Sequence, residues 1–305
     1  MADGSKVTSL RDAIARFVHD GDTVVIEGFT HLICFAAGHE IIRQGRRDLT
    51  LCRLTPDLIY DQMIGAGCAR KLVFSWAGNP GVGSLHAFRR AVEGKGSRPT
   101  LEIEEYSHFG MVARFSAGAA GLPFWLLRDY GGTDLPTANP RIKTVTCPYT
   151  GQALATVPAL TPDVTIIHAQ RADAHGNTQI WGLVGVQQEA AFASARVIVV
   201  VEELVSTDVV RADPNRTLIP GMIVDAVVVE PWGAHPSYAQ GYYDRDNEFY
   251  VAWEGVSRDP AHLARYLDEW VRGVPDRAAY LAKQPGLADR LRARARVSPG
   301  VNYGF

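Results

Sequence analysis

The sequence predicts an α/β fold, an open, mainly parallel sheet flanked by helices. Three observations predict it. Short β-branched runs alternate with longer helical patterns, and four such strand-to-helix units fit within roughly the first 120 residues. That alternation builds a parallel sheet covered on both faces. Runs such as Thr23 to Ile26 read as buried strands. Finally, the 305-residue chain is 47% hydrophobic and 9% aromatic. That suffices for a full core and excludes a disordered, collagen-like or disulfide-scaffold chain.

The elements follow in order. Ser9 and Asp12 form an S-x-x-D capping box, with Leu10, Ile14, Phe17 and Val18 at helical spacing behind it. After the Asp20-Gly21-Asp22 turn, the strand Thr23 to Ile26 ends in Glu27-Gly28-Phe29. A helix near 34–44 leads to a strand at Leu49 to Arg53; Pro56-Asp57 opens a helix that stops near Gly65. The strand Lys71 to Ser75 ends in the glycine-rich loop 76–84 before a helix at 85–93. The strand Thr100 to Glu105 and a helix near 108–119 complete the regular half. Strands follow at Val164 to His168, Arg196 to Val201 and Ile223 to Val229, with a helix near 187–194. The stretch 232–250 reads as an aromatic loop, and 259–283 and 286–296 as helices. At about 150 residues per domain the length allows one large domain or two small ones. No Ser/Gly/Pro-rich linker or repeat divides the chain, so it reads as one α/β domain over 1–255 with a helical extension over 256–305 packed on it.

Charge narrows the function classes. Lys and Arg number 31 against 33 Asp and Glu, a net charge of -2. No basic footprint suits nucleic acid. The longest apolar runs have strand length, so no membrane span is expected. The N-terminus lacks a charged region followed by an apolar one, so no secretory leader is expected either. The four cysteines contain no C-x-x-C pair and read as reduced thiols in a cytoplasmic protein without a zinc site.

In open parallel sheets, ligands bind beyond the carboxyl ends of the strands, so a site is expected at the strand ends Glu27 to Phe29, Ser75 to Ser84 and Glu104 to Phe109. Strand alternation sets Leu101, Ile103 and Glu105 on one face. Glu105 thus continues an apolar row, where burial would raise its pKa toward the range of a general base. His108 could hydrogen-bond and support it; otherwise Glu105 is a solvated or capping acid. Ser75, Gly78, Asn79 and Gly81 could present backbone N–H groups to an anion or a thioester oxygen, or form a tight turn without ligand. Gly28, beside Phe29, allows a close ligand approach or a sharp turn. Arg128 could clamp a carboxylate or form a surface ion pair. His168, Asp173 and His175 read as a core histidine and a turn more readily than as metal ligands.

Taken together, ordered stretches carry a resemblance. They are Asp20 to Thr23 with Gly28-Phe29; Ser75 to Gly83 with Phe88 to Gly94; Gly121 to Phe124; Thr161 to Gln170; Ala172-Asp173 with Gly176-Asn177; and Glu202-Glu203. In this order the chain resembles the alpha subunit of family I coenzyme A transferases, in the glutaconate CoA-transferase branch. Within it, Glu104 to Gly110 is similar to the alpha subunit of a steroid ring-opening CoA-ester hydrolase of cholesterol catabolism. Ordinary transferases of the family read Gly-Gly-Phe where this chain has Glu27-Gly28-Phe29. The resemblance implies a three-layer α/β fold, a beta-subunit partner in an α2β2 heterotetramer, and no cofactor other than the CoA of the substrate. It implies hydrolytic ring opening of a cyclic 6-oxocyclohexene-carboxyl-CoA by a retro-Claisen cleavage, with Glu105 activating water and backbone N–H groups near Gly28 or Asn79 holding the oxyanion. The alternative is a true CoA transferase, its catalytic glutamate carried by the beta subunit.

Overall fold

The computed structural model describes residues 4–80, 82–95, 99–128 and 130–293. The first half runs β1 (Val7–Thr8), α1 (Leu10–Phe17), β2 (Thr23–Glu27), α2 (Phe35–Arg43), β3 (Leu49–Cys52), α3 (Leu58–Ala66), β4 (Ala69–Phe74), α4 (His86–Val92), β5 (Glu102–Glu105) and α5 (His108–Ala119). Then come β6 (Phe124–Leu127), α6 (Leu135–Ala138), β7 (Lys143–Thr146), β8 (Ala153–Pro158), β9 (Val164–Ala172), β10 (Thr178–Gln179), α7 (Gln187–Ala193) and β11 (Arg196–Leu204). The chain closes with α8 (Thr207–Ala212), β12 (Thr217–Ile219), β13 (Ala226–Val229), α9 (Asn247–Arg258), α10 (Pro260–Tyr266), α11 (Arg277–Ala282) and α12 (Leu287–Leu291).

The main sheet has the order β1-β13-β11-β9-β2-β3-β4-β5, and every pairing along that path is parallel. The open parallel sheet flanked by helices is therefore the fold. Alternation distributes the core: Val24 and Ile26 of β2 pack with α1 to α4 and α9, and Val25 faces the opposite layer with Phe115 of α5 and Ala190 of α7. Ser9 caps α1, accepting from the Asp12 amide at 3.1 Å and donating to its carboxylate at 2.7 Å. From β2 the chain steps to β3, β4 and β5 on one side, whereas β9, β11 and β13 lie on the other. The crevice between the carboxyl ends of β2 and β9 is thus the topological switch point, where ligands bind in such sheets.

The structure departs from the sequence reading in several places. A second, three-stranded antiparallel sheet, β6-β8-β7, stands beside α5; β7 is exposed throughout, so it carries no apolar alternation. The stretch expected as a loop to 250 already enters α9, started by the Asp246 side chain accepting from the Phe249 amide. The boundary expected at 255 falls inside that helix. Trp253 and Ser257 of α9 donate to the buried carboxylate of Asp61 in α3, so residues on both sides of 255 share one core. The expected helix 259–283 is broken: α10 runs into a π-helical turn at Leu267–Arg272, and α11 follows separately. Of the helix expected at 286–296, Leu287–Leu291 forms, and its end lies outside the described residues. Among the described residues, no helix is long and apolar enough to cross a membrane.

Candidate active site at the carboxyl rim

The carboxyl ends of β2 to β5 form one rim carrying, in spatial order, Glu27, Arg53, Ser75 and Glu105. The rim brings Gly28, Phe29, Ser75 and Glu105 onto one edge. Adjacent strands lie about 4.8 Å apart, so Gly28 and Glu105 sit roughly 14 Å from one another along it. That spacing separates any oxyanion donor at Gly28 from a base at Glu105.

Glu105 pairs with Phe74 of β4 in the register of the edge strand. Its carboxylate is exposed, and Ile103 on the same face is 43% exposed. The expected burial of this face is corrected: Leu101 is buried, but it lies before the strand and belongs to the helical layer through its bond to the Ala91 carbonyl. The buried acid is Glu104. It accepts from the Tyr106 hydroxyl at 2.6 Å and from Arg114 at 2.8 Å, and pairs with Lys71 at 2.6 Å. Burial pushes its pKa up, but Lys71, Tyr106 and Arg114 outweigh that and hold it below the ordinary carboxylate range. Glu105 is tied to the chain through its backbone carbonyl, which accepts from Asn139 at 2.9 Å. His108 is exposed on the first turn of α5, and no hydrogen bond joins it to Glu105 among the described residues.

The glycine-rich loop closes on itself. Ser75 donates to the Leu54 carbonyl at 2.6 Å, and Asn79 donates to Tyr250 of α9 at 2.7 Å. A Cβ at Gly78 would meet the Trp76 ring at 2.5 Å, so the glycine serves the turn. Gly81 lies outside the described residues. Gly28 likewise answers to its own turn, since a Cβ there would meet the carbonyl oxygens of His31 at 2.6 Å and Leu32 at 2.7 Å. Arg128 is exposed at the end of β6, on the smaller sheet and not on the rim. Asp173 organises the turn expected near it, accepting from the amides of His175 and Asn177.

Sequence reasoning passes over the residues at the switch point itself. Glu27 is wholly buried, on the face that Val25 shares with α5 and α7. Arg53 beside it donates to the Gly28 carbonyl and, at 2.9 Å, to Asp57. No side chain hydrogen-bonds the Glu27 carboxyl among the described residues; the backbone amides of Gly28 and Leu54 face it. Burial raises its pKa to about 7, against the opposing pull of Arg53 and of the nearby Gly28 and Leu54 amides. The next residues bend sharply, with Thr30 and Leu32 at φ +56° and +55°. This left-handed backbone is costly for side-chain-bearing residues unless the surroundings fix it. Here they do. Ser237 donates to Thr30, Leu32 donates to Tyr238, and His31 bridges the Gln240 amide at 3.0 Å and the Leu183 carbonyl at 2.9 Å. The signal in the sequence is an acid closing an otherwise apolar run, Thr23 to Glu27.

An open parallel sheet with its polar residues gathered on the carboxyl rim defines a small-molecule enzyme of the α/β class. The chain belongs to the coenzyme A transferase family, which matches residues 7–230. It is 56% identical over 279 residues to one of the subunits of 3-oxoadipate CoA-transferase from Pseudomonas knackmussii, covering 92% of this chain and 98% of that one. Glutaconate coenzyme A-transferase from Acidaminococcus fermentans superposes with a TM-score of 0.89 at 33% identity, covering 98% of this chain and 99% of that one. The cholesterol ring-cleaving hydrolase IpdA subunit of Mycobacterium tuberculosis is 29% identical, covering 88% of this chain and 94% of that one. The chain is thus the alpha-type subunit of a heteromeric member of the family.

Proposed function

We propose that this chain serves a true CoA transferase, which moves CoA between carboxylic acids, one of them a 3-oxo dicarboxylic acid. The single observation that carries this reading is the identity of 56% with a protein named for that activity, over nearly the whole of both chains. Hydrolytic ring opening rests on relatives at 29% identity. A general base also works best when a second group orients it, and the Glu105 carboxylate carries no hydrogen bond or ion pair among the described residues. The partner is a beta subunit of the same family, in an α2β2 assembly, and supplies the glutamate on which the acyl anhydride forms. This chain contributes the rim from Glu27 to Glu105 as a wall of the acyl site.

The test is an acceptor panel. The chain, co-purified with its beta subunit, is given an acyl-CoA donor and, in turn, 3-oxoadipate, glutaconate and a short monocarboxylic acid. A new CoA ester of 3-oxoadipate, formed mole for mole with free donor acid, supports the reading. Turnover of 6-oxocyclohexene-carboxyl-CoA without any acceptor, and none of the transfers, would replace it with the hydrolytic one.

A further inference from the structure

The C-terminal helices α9, α10, α11 and α12 border a cavity of about 360 Å³. Four aromatic rings line it, and the helices explain their placing. Trp270 follows Tyr266 by four residues, so the two rings share one helix face and stack with centroids 6.4 Å apart. The turn that carries Trp270 is π-helical over Leu267–Arg272, a form that recurs at functional sites. Tyr280 of α11 meets Trp270 edge-on at 6.1 Å, and Phe249 of α9 meets Tyr266 edge-on at 6.3 Å. The fully buried His235 closes the circuit, 5.9 Å from Tyr280 and 6.1 Å from Phe249.

Hydrogen-bonding capacity is left over in this wall. The Tyr266 hydroxyl is buried and has no partner among the described residues. Burial pushes its pKa up, so it keeps its proton and is a donor. The Gln284 amide nitrogen faces the Tyr280 hydroxyl and carries a second N–H. A buried donor without an acceptor is costly.

The charged groups are spent on one another. Arg290 donates to the two oxygens of Asp246 at 3.0 and 2.9 Å and to Glu248 at 3.0 Å. His235 and the Phe249 amide take up the rest of the Asp246 carboxylate. Cations already stand over two of the rings: the Arg277 guanidinium lies 4.3 Å from the Tyr280 centroid, and Lys283 Nζ lies 4.5 Å from that of Trp270. Asp246 and Glu248 disfavour an anion here, and Arg277, Lys283 and Arg290 disfavour a further cation.

From this geometry we infer that the cavity binds a neutral, planar aromatic molecule carrying one hydrogen-bond acceptor. Its ring packs against the aromatic wall in the offset and edge-on contacts that such rings prefer, and its acceptor takes the Tyr266 hydroxyl. The volume is that of a small-molecule pocket, and the mouth lies beside the exposed Glu248.

The test compares quinoline with naphthalene. The two have one shape and are neutral at neutral pH, but quinoline alone has an acceptor nitrogen. Binding to the enzyme assembled with its beta subunit is measured by calorimetry and by saturation-transfer NMR. Quinoline is expected to bind about fivefold tighter or more, as one additional hydrogen bond allows. Tyr266→Phe lowers quinoline to the affinity of naphthalene and leaves naphthalene unchanged. Ala252→Phe, at an exposed position on the wall, fills the cavity and removes binding of both. Four results overturn the inference: equal affinities for the two ring systems, no binding of quinoline up to about 1 mM, a preference that survives Tyr266→Phe, or binding that survives Ala252→Phe.

Discussion

Glu27 and Arg53 stand at the carboxyl ends of neighbouring strands, both all but wholly buried, yet the guanidinium bonds Asp57 and the Gly28 carbonyl and makes no hydrogen bond to the Glu27 carboxyl. The local charge balance is thus already met by Asp57. Burial consequently dominates at Glu27 and favours its neutral form.

That balance predicts a pH dependence of stability. The folded-state pKa of Glu27 lies near 7, above the ordinary 4.5, so the folded chain binds a proton that the unfolded chain has released in this window. The contribution of neutral Glu27 is complete below pH 4.5 and is lost as pH rises through 7. Its size is on the order of 3 kcal/mol at full burial. Glu27→Gln is expected to flatten denaturation free energies between pH 5 and 8 relative to the wild type, with the variant gaining ground on the alkaline side.

The neighbours Glu104 and Glu105 predict opposite behaviour. Glu104→Gln breaks the buried pair with Arg114 and Lys71, and costs about 3 kcal/mol or more. Glu105→Gln alters an exposed carboxylate, and stays within about 0.5 kcal/mol. Chemical denaturation of both variants reads the difference. On the transferase reading Glu105→Gln also keeps CoA transfer within about threefold, a factor of less than 1 kcal/mol in barrier.

Asp61 ties the C-terminal helices to the sheet layer. It accepts from the Phe88 amide at 2.8 Å, from Trp253 at 3.0 Å and from Ser257. Asp61→Ala strands three donors, those of Trp253 and Ser257 buried, and is expected to cost about 3 kcal/mol or more. Trp253 fluorescence should shift to the red in the same variant as water reaches the indole.

His31 fixes the bend that follows β2. Its Nε2 accepts from the Gln240 amide, so Nδ1 carries the proton and donates to the Leu183 carbonyl. Burial lowers its pKa to about 4, with His168 adding to the shift and the Leu183 carbonyl opposing it. The neutral ring's contribution is present above pH 6.5 and is lost as pH falls toward 4. His31→Ala should free the 183–185 segment, raise KM for the acid acceptor several-fold, and remove the acid-side loss of stability between pH 6.5 and 4.

Much of the fold is readable from the residues because a doubly covered sheet repeats one pattern. Runs such as Thr23–Ile26 and Val197–Val201 have no polar face to obscure them, and Ser9 caps its helix as an S-x-x-D box should. The small sheet escapes because Lys143–Thr146 is exposed on both faces and owes its strand to pairing with β8 alone. The face of β5 is misjudged when alternation is counted from Leu101, a residue buried by its neighbours before the strand begins. Glu27 is overlooked for a related reason. A glutamate beside a glycine reads as the start of a loop, and only the strand order shows that it closes a central strand at the switch point.

The most direct measurement follows the thioester itself. The assembled enzyme is incubated in H₂¹⁸O with an acyl-CoA donor and 3-oxoadipate, and total thioester and isotope incorporation are read by mass spectrometry. CoA transfer predicts that total thioester is conserved while 3-oxoadipyl-CoA appears, with no ¹⁸O in the released donor acid. A net loss of thioester, or ¹⁸O entering a new carboxylate when 6-oxocyclohexene-carboxyl-CoA is supplied without acceptor, would contradict the assignment of this chain to a transferase.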